Sequence, residues 1–200
     1  MKISFAGLLL LLSQIASAAI FTVTNNVDPG DGSCEAAGCT LREAINAANA
    51  NPGADIIRFN IPFSGVQMIS PASSLPTITD AVTIDGYTQP GTSKNTLAVG
   101  NNAVLLIELD GTFAGSLAIG LNIAANNTVI RGLVINRFST GININSDANI
   151  IEGNFVGTNA AGTADLGNRF GGVSITVGNN NLVGGDVPRR NVISGNDGPA

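Results

Sequence analysis

The sequence predicts an all-β fold, a parallel solenoid of about 21 residues per coil with one capping helix at its N-terminal end. Three observations predict it. An apolar run closing on glycine recurs as Ile107-Glu108-Leu109-Asp110-Gly111, Val129-Ile130-Arg131-Gly132, Ile150-Ile151-Glu152-Gly153 and Leu182-Val183-Gly184-Gly185, at spacings of 21, 21 and 32 residues. A second marker, Gly120-Leu121-Asn122-Ile123, Gly141-Ile142-Asn143-Ile144 and Gly172-Val173-Ser174-Ile175, keeps step at 21 and 31. Third, short β-branched runs are punctuated throughout by glycine and asparagine, while aromatics make up only 4% and charged residues 12%. Each such unit is too small to bury its own apolar face, so it must stack on its neighbours.

The 200 residues suit one elongated domain, and 44% hydrophobic content with so little charge excludes a disordered chain. The N-terminus reads as a secretory signal peptide over residues 1–18. Lys2 gives the positive start, Ile3 to Leu12 the apolar segment, and Ala16-Ser17-Ala18 the small-residue cleavage site. Beyond it no apolar run approaches membrane-spanning length, so no transmembrane segment is expected. Removal of Lys2 leaves 8 basic against 14 acidic residues, a net charge of −6. That balance excludes nucleic acid and anionic membranes as partners. The expected location is secreted, extracellular or at the cell surface.

Residues 19–53 form the entry to the solenoid. Phe21-Thr22-Val23-Thr24 alternates as a short strand and runs into a turn-rich stretch. Cys34 and Cys39, the two cysteines of the chain, are expected to form a disulfide in an exported protein. Thr40-Leu41-Arg42-Glu43 is a capping box, in which Thr40 and Glu43 satisfy each other's backbone amides. Leu41, Ala44, Ile45 and Ala48 then share one helical face, and Asn51-Pro52-Gly53 stops the helix. Such a helix is suited to cover the otherwise open end of the solenoid.

The string Cys39-Thr40-Leu41-Arg42-Glu43-Ala44 resembles the Cys-Ser-Leu-Arg-Glu-Ala motif for which a family of bacterial secreted proteins is named. The similarity continues through Leu75-Pro76-Thr77-Ile78, Val82-Thr83-Ile84-Asp85-Gly86-Tyr87-Thr88-Gln89-Pro90-Gly91, Phe155-Val156-Gly157-Thr158-Asn159 and Asn191-Val192-Ile193-Ser194-Gly195-Asn196. It implies a right-handed parallel β-helix of the pectate-lyase type, used as a secreted or surface scaffold with no defined substrate. Thr40 in place of the family's serine preserves the cap chemistry.

The solenoid is expected over residues 54–200. Ile57, Phe59 and Ile61 alternate with polar neighbours, as do Val66 and Met68, then Leu75, Ile78, Val82 and Ile84. Residues 87–103 are turn-rich and leave the coil as a loop. All the extra length of the third repeat lies between Gly153 and Gly172, which places a second loop at 157–168. Thr128, Asn149 and Asn181 share the position four residues before a marker glycine, where stacked side chains form a hydrogen-bonded ladder. The sequence ends in mid-coil, so the last coil is expected to self-associate or to continue into further chain.

Chemistry is carried, if anywhere, by the residue before each marker glycine. Asp85, Asp110, Arg131 and Glu152 are expected as one outward-facing, solvent-exposed column. Two functions follow. A surface ion ladder on a scaffold or adhesin would bind polysaccharide or other cell-surface components, with no cofactor. Alternatively, the column is the catalytic site of a polysaccharide lyase or glycoside hydrolase, with calcium as the cofactor a lyase would take. Glu108 and Asp110 also share a strand face, a spacing that a glycosidase carboxylate pair could use. The chain contains no histidine or tryptophan and no Ser-His-Asp, phosphate-loop or EF-hand pattern, which favours the scaffold.

Overall fold

The computed structural model describes residues 17–35 and 38–198. The signal peptide expected at 1–18 therefore lies outside the described residues except for Ser17 and Ala18. Among the described residues fourteen strands, all paired in parallel, form three sheets. The first holds β1 (Ile20–Val23), β2 (Asp55–Phe59), β4 (Val82–Asp85), β7 (Val129–Arg131), β10 (Ile150–Glu152) and β13 (Leu182–Val183), in that order. The second runs β3 (Gln67–Ile69), β5 (Ile107–Asp110), β8 (Leu133–Asn136), β11 (Phe155–Val156) and β14 (Val192–Ile193). The third has β6 (Ile119–Ile123), β9 (Thr140–Asn145) and β12 (Gly171–Val177). From β7 onward the chain visits the first, second and third sheets in turn, then passes through them again.

This arrangement corrects the expected fold class. An all-β right-handed parallel β-helix closes every coil on continuous faces. Along the first sheet only Val129↔Ile150 are 21 residues apart. The other paired residues, Ile20↔Ile56, Asp55↔Val82, Thr83↔Val129 and Ile150↔Leu182, are 36, 27, 46 and 32 apart. The sheets hold six, five and three strands, and no closed solenoid forms. The physical cause lies in the first half of the chain. No strand of the third sheet precedes β6, and that face is begun only by an isolated bridge between Ile78 and Ile123. With parallel strands throughout and an α-helix packed on the first sheet, the architecture is closer to an α/β type.

That helix, α1 (Leu41–Ala50), buries Leu41, Ala44, Ile45 and Ala48 against β1 and β2. Its capping box is complete: Glu43 N donates to Thr40 Oγ1 at 3.3 Å, and Thr40 N donates to Glu43 Oε2 at 2.8 Å. The other oxygen of Glu43 accepts from Gly32 N at 2.7 Å, so the buried carboxylate also holds the preceding turn. Cys34 and Cys39 are disulfide-bonded within that turn. Arg42 grips both oxygens of Asp28 and donates to the carbonyls of Ser73 and Ser74, tying the helix to the chain beyond β3.

The core is a continuous file of Ile, Leu and Val from all three sheets. β2 alternates as its sequence requires, with Ile57 and Phe59 inward. β3 does not follow the expectation. Val66 and Met68 are 44% and 45% exposed, while Gln67 and Ile69 point inward. A buried glutamine is tolerated because its Nε2 is satisfied by the carbonyls of Phe63, Ser64 and Gly65, at 3.1, 3.3 and 3.0 Å.

The 87–103 excursion returns through an antiparallel bridge between Ser93 and Val104. Arg190 fastens it by donating to the carbonyls of Leu97, Ala98 and Gly100. The 157–168 loop is likewise closed by a bridge between Thr158 and Asp165.

A neutralised charge ladder and an arginine-lined cleft as the candidate functional site

Parallel register stacks Thr22, Arg58, Asp85, Arg131 and Glu152 on consecutive strands of the first sheet. Arg131 Nη2 donates to Asp85 Oδ2 at 2.6 Å, and its Nη1 lies 3.7 Å from Glu152 Oε1. Arg189 Nε lies 2.7 Å from the other oxygen of Glu152. The result is a chain of alternating charge, Asp85–Arg131–Glu152–Arg189, with two cations for two anions. The hydrogen bond to Asp85 holds Arg131 above the usual guanidinium pKa, against the opposing effect of burial.

Two expectations about this column are corrected. The acids do not face open solvent: Asp85 is 7% and Glu152 6% exposed. Asp110 does not belong to the column at all. It ends β5 in the second sheet, in register with Asn136, and Arg137 Nη1 donates to its Oδ2 at 2.8 Å. Glu108, on the same strand, accepts from Asn136 Nδ2 at 2.8 Å.

Asp85 and Asp110 are instead two copies of one local device. Each ends a strand and precedes a glycine and a short 3-10 turn, Gly86–Thr88 or Gly111–Phe113. One oxygen caps the turn, accepting from Tyr87 N at 3.1 Å or Thr112 N at 2.9 Å. The other oxygen takes an arginine from the next strand of its sheet or from the residue just after it. The paired strings Ile84-Asp85-Gly86 and Leu109-Asp110-Gly111 carry the signal for this device.

Tyr87 closes over the ladder. Its hydroxyl donates to Gly153 O at 2.9 Å, and burial, then Glu152 and Asp85, push its pKa up to about 12 despite Arg131. A Cβ at Gly153 would lie 2.4 Å from that hydroxyl oxygen, so the marker glycine there is also a matter of space.

Asparagines join successive passes through the sheets. Thr128 N donates to Asn149 Oδ1, and Asn149 N to Asn181 Oδ1, both at 2.9 Å. Two further ladders escaped the sequence reading. Leu133 N donates to Asn154 Oδ1 at 3.0 Å and Asn154 N to Asn191 Oδ1 at 2.9 Å. Phe138 N donates to Asn168 Oδ1 at 3.0 Å and Asn168 N to Asn196 Oδ1 at 3.1 Å. The available signal was an asparagine immediately before Phe155-Val156 and Val192-Ile193. These side chains are structural: each Oδ1 accepts from a backbone amide, and each Nδ2 donates to a backbone carbonyl or, at Asn149, to Ser146 Oγ and Asn181 Oδ1.

A cleft of about 300 Å³ opens beside Asp110, lined by Thr112, Ser116, Arg137, Ser139 and Arg169 with the backbone of Gly111 and Gly115. Arg137 sits at φ 58°, a backbone conformation that costs a non-glycine residue about 1–2 kcal/mol. Its guanidinium is half-exposed and held by Asp110. Arg169 differs from every other arginine among the described residues: its guanidinium makes no ion pair and no hydrogen bond, and stacks 4.8 Å from the Phe170 ring. Phe113, Leu117 and Phe170, all next in sequence to residues lining the cleft, are 71%, 75% and 51% exposed. The Thr112 and Ser139 hydroxyls donate to Asp110 Oδ1 and Ala118 O, so the cleft offers one free cation, the Ser116 hydroxyl and apolar surface nearby.

Among the described residues no helix is long and apolar enough to cross a membrane. No protein-family model matches the chain, and a search of the curated proteins found none similar to it.

Proposed function

We propose that this chain is a secreted, non-catalytic scaffold that binds an anionic, hydroxyl-bearing glycan at the Arg137–Arg169 cleft. The observation that carries the reading is the contrast in charge pairing. The ladder acids Asp85 and Glu152 are already matched by arginines, whereas Arg169 stands unmatched in the cleft with the Ser116 hydroxyl. A general acid or base must be free to exchange a proton with substrate, and these carboxylates are engaged. A guanidinium beside a hydroxyl and exposed rings suits a sugar carboxylate or sulfate, with ring stacking on the apolar sugar face. The likeness of Cys39–Ala44 to the family of bacterial secreted proteins, and the leader-like residues 1–18, support export.

The test is calorimetric titration with uronate, sulfated and neutral oligosaccharides, alongside a cleavage assay with and without calcium. Binding of the acidic sugars, weakened about tenfold by Arg169→Ala and by added salt, is expected. Equal affinity for neutral sugars would overturn the binding reading. Cleavage that is lost in Arg131→Met would overturn the non-catalytic one.

A further inference from the structure

Asp55 is the most deeply buried carboxylate among the described residues, at 1% exposure, and it carries an unfilled half. Its Oδ1 accepts from Ala19 N at 2.7 Å and from Asn51 Nδ2 at 2.8 Å. Its Oδ2 is buried and has no hydrogen-bond partner, and no arginine or lysine among the described residues pairs with either oxygen. A lone ionised carboxylate in such a place costs several kcal/mol unless a cation joins it. The nitrogen that reaches it is not an arbitrary amide. Ala19 is the residue that follows Ala16-Ser17-Ala18, the small-residue cleavage signal.

We propose that Asp55 is the receptor for the new N-terminus: removal of the leader between Ala18 and Ala19 creates an α-ammonium that pairs with this buried carboxylate. The proposal rests on the export reading above. A leader peptidase hydrolyses the Ala18–Ala19 bond with one water. Ala18 departs with the new carboxylate, and Ala19 keeps the amine, which takes up a proton. The amide N–H that served Oδ1 becomes a cation with three donors, so Oδ2 gains a partner as well.

The position of that nitrogen is fixed by the fold. Ile56 N donates to Ala19 O at 2.9 Å, which begins the β1–β2 ladder and sets Ala19 opposite Asp55. On the far side Asn51, the C-terminal cap of α1, donates to the same carboxylate. A chain that still carries its leader lacks the cation, and its Ser17 carbonyl accepts from Asn51 Nδ2 at 2.8 Å beside Gly53. Cleavage one residue earlier or later would place the amine off the ladder. The carboxylate therefore reads the exact length of the processed chain.

The test has two arms. Intact mass of the exported protein reports the start, and any start other than Ala19 overturns the assignment through its premise. Independently, chains beginning at Ala19 and at Ser17 are made with Asp55 or Asp55→Asn, and their unfolding constants compared as a double cycle. Coupling of about tenfold or more between the start and Asp55 is expected, and none would overturn the pairing whatever the export result. If Asp55→Asn does not fold, amine modification carries the test. A chain starting at Ala19 has only two amines, the α-amine and the exposed Lys94. Cyanate should modify the α-amine at least about tenfold more slowly in the native than in the unfolded chain. Native labelling as fast as in the unfolded chain would overturn the proposal.

Discussion

Tyr87 is the only tyrosine in a chain without tryptophan, so its ionisation can be read alone in the ultraviolet. The structure holds the phenol over the charge ladder, with its pKa pushed from 10.0 to about 12. Burial is the largest cause, the carboxylates of Glu152 and Asp85 add to it, and Arg131 opposes them. The folded state therefore keeps the phenolic proton at pH values where the unfolded chain has lost it. Stability from this group is fully present below pH 10 and is lost as the pH rises through about 12. Tyrosinate absorbance should thus rise with a midpoint near 12 in native protein and near 10 in denaturant. Glu152→Gln should lower the native midpoint, Arg131→Met should raise it, and Gly153→Ala should drop it toward the free value by displacing the ring. A native midpoint at the free value would refute the covering role of Tyr87 and the packing argument for Gly153.

Other measurements address separate parts of the fold. Arg131→Met should destabilise by about 1–3 kcal/mol in chemical denaturation, between the values for exposed and buried pairs, because it strands the Asp85 carboxylate, whose side chain is only 10% exposed, and leaves Glu152 with Arg189 alone. Ala148 occupies the left-handed region at φ 57°, where the equivalent residues Asn127 and Asn180 are asparagines at 59° and 58°. Ala148→Asn should therefore stabilise by about 0.5–1 kcal/mol, and a lower melting temperature would contradict that. Unreduced native protein should show no alkylatable thiol, and Cys34→Ala should cost about 2 kcal/mol while leaving the parallel strands in place by circular dichroism.

What was legible in the sequence was whatever recurs because sterics demand it at each pass. Gly120 and Gly141 stack so closely that a Cβ on either would lie 2.5 or 2.6 Å from the carbonyl of the glycine below, so no other residue fits and the marker repeats. The capping box at Thr40 and Glu43 was legible for a similar reason, since its chemistry is local. The sheet to which a strand belongs is not local. Ile107–Gly111 and Val129–Gly132 look alike residue by residue, yet the first ends a strand of the second sheet and the second a strand of the first. Asp110 was misplaced on that account. The inward face of β3 was misread because Gln67 has an unusual set of three carbonyl acceptors that pattern alone does not show.

The asparagine ladders have a direction. In these three ladders the acceptor side chain comes from later in the chain than the amide it satisfies: Asn149 serves Thr128, Asn154 serves Leu133, and Asn168 serves Phe138, whereas the neighbouring Asn126–Asp147–Asn179 stack runs the other way. A turn is therefore incomplete until the residues 21 to 37 positions downstream exist to close it. An amide left open in that buried setting costs about 1–3 kcal/mol. During synthesis these three sets of amides stay open until the next segment has been made. Truncation is felt upstream of the cut, and an inserted segment is accepted only if it brings its own asparagines for the turns it now covers.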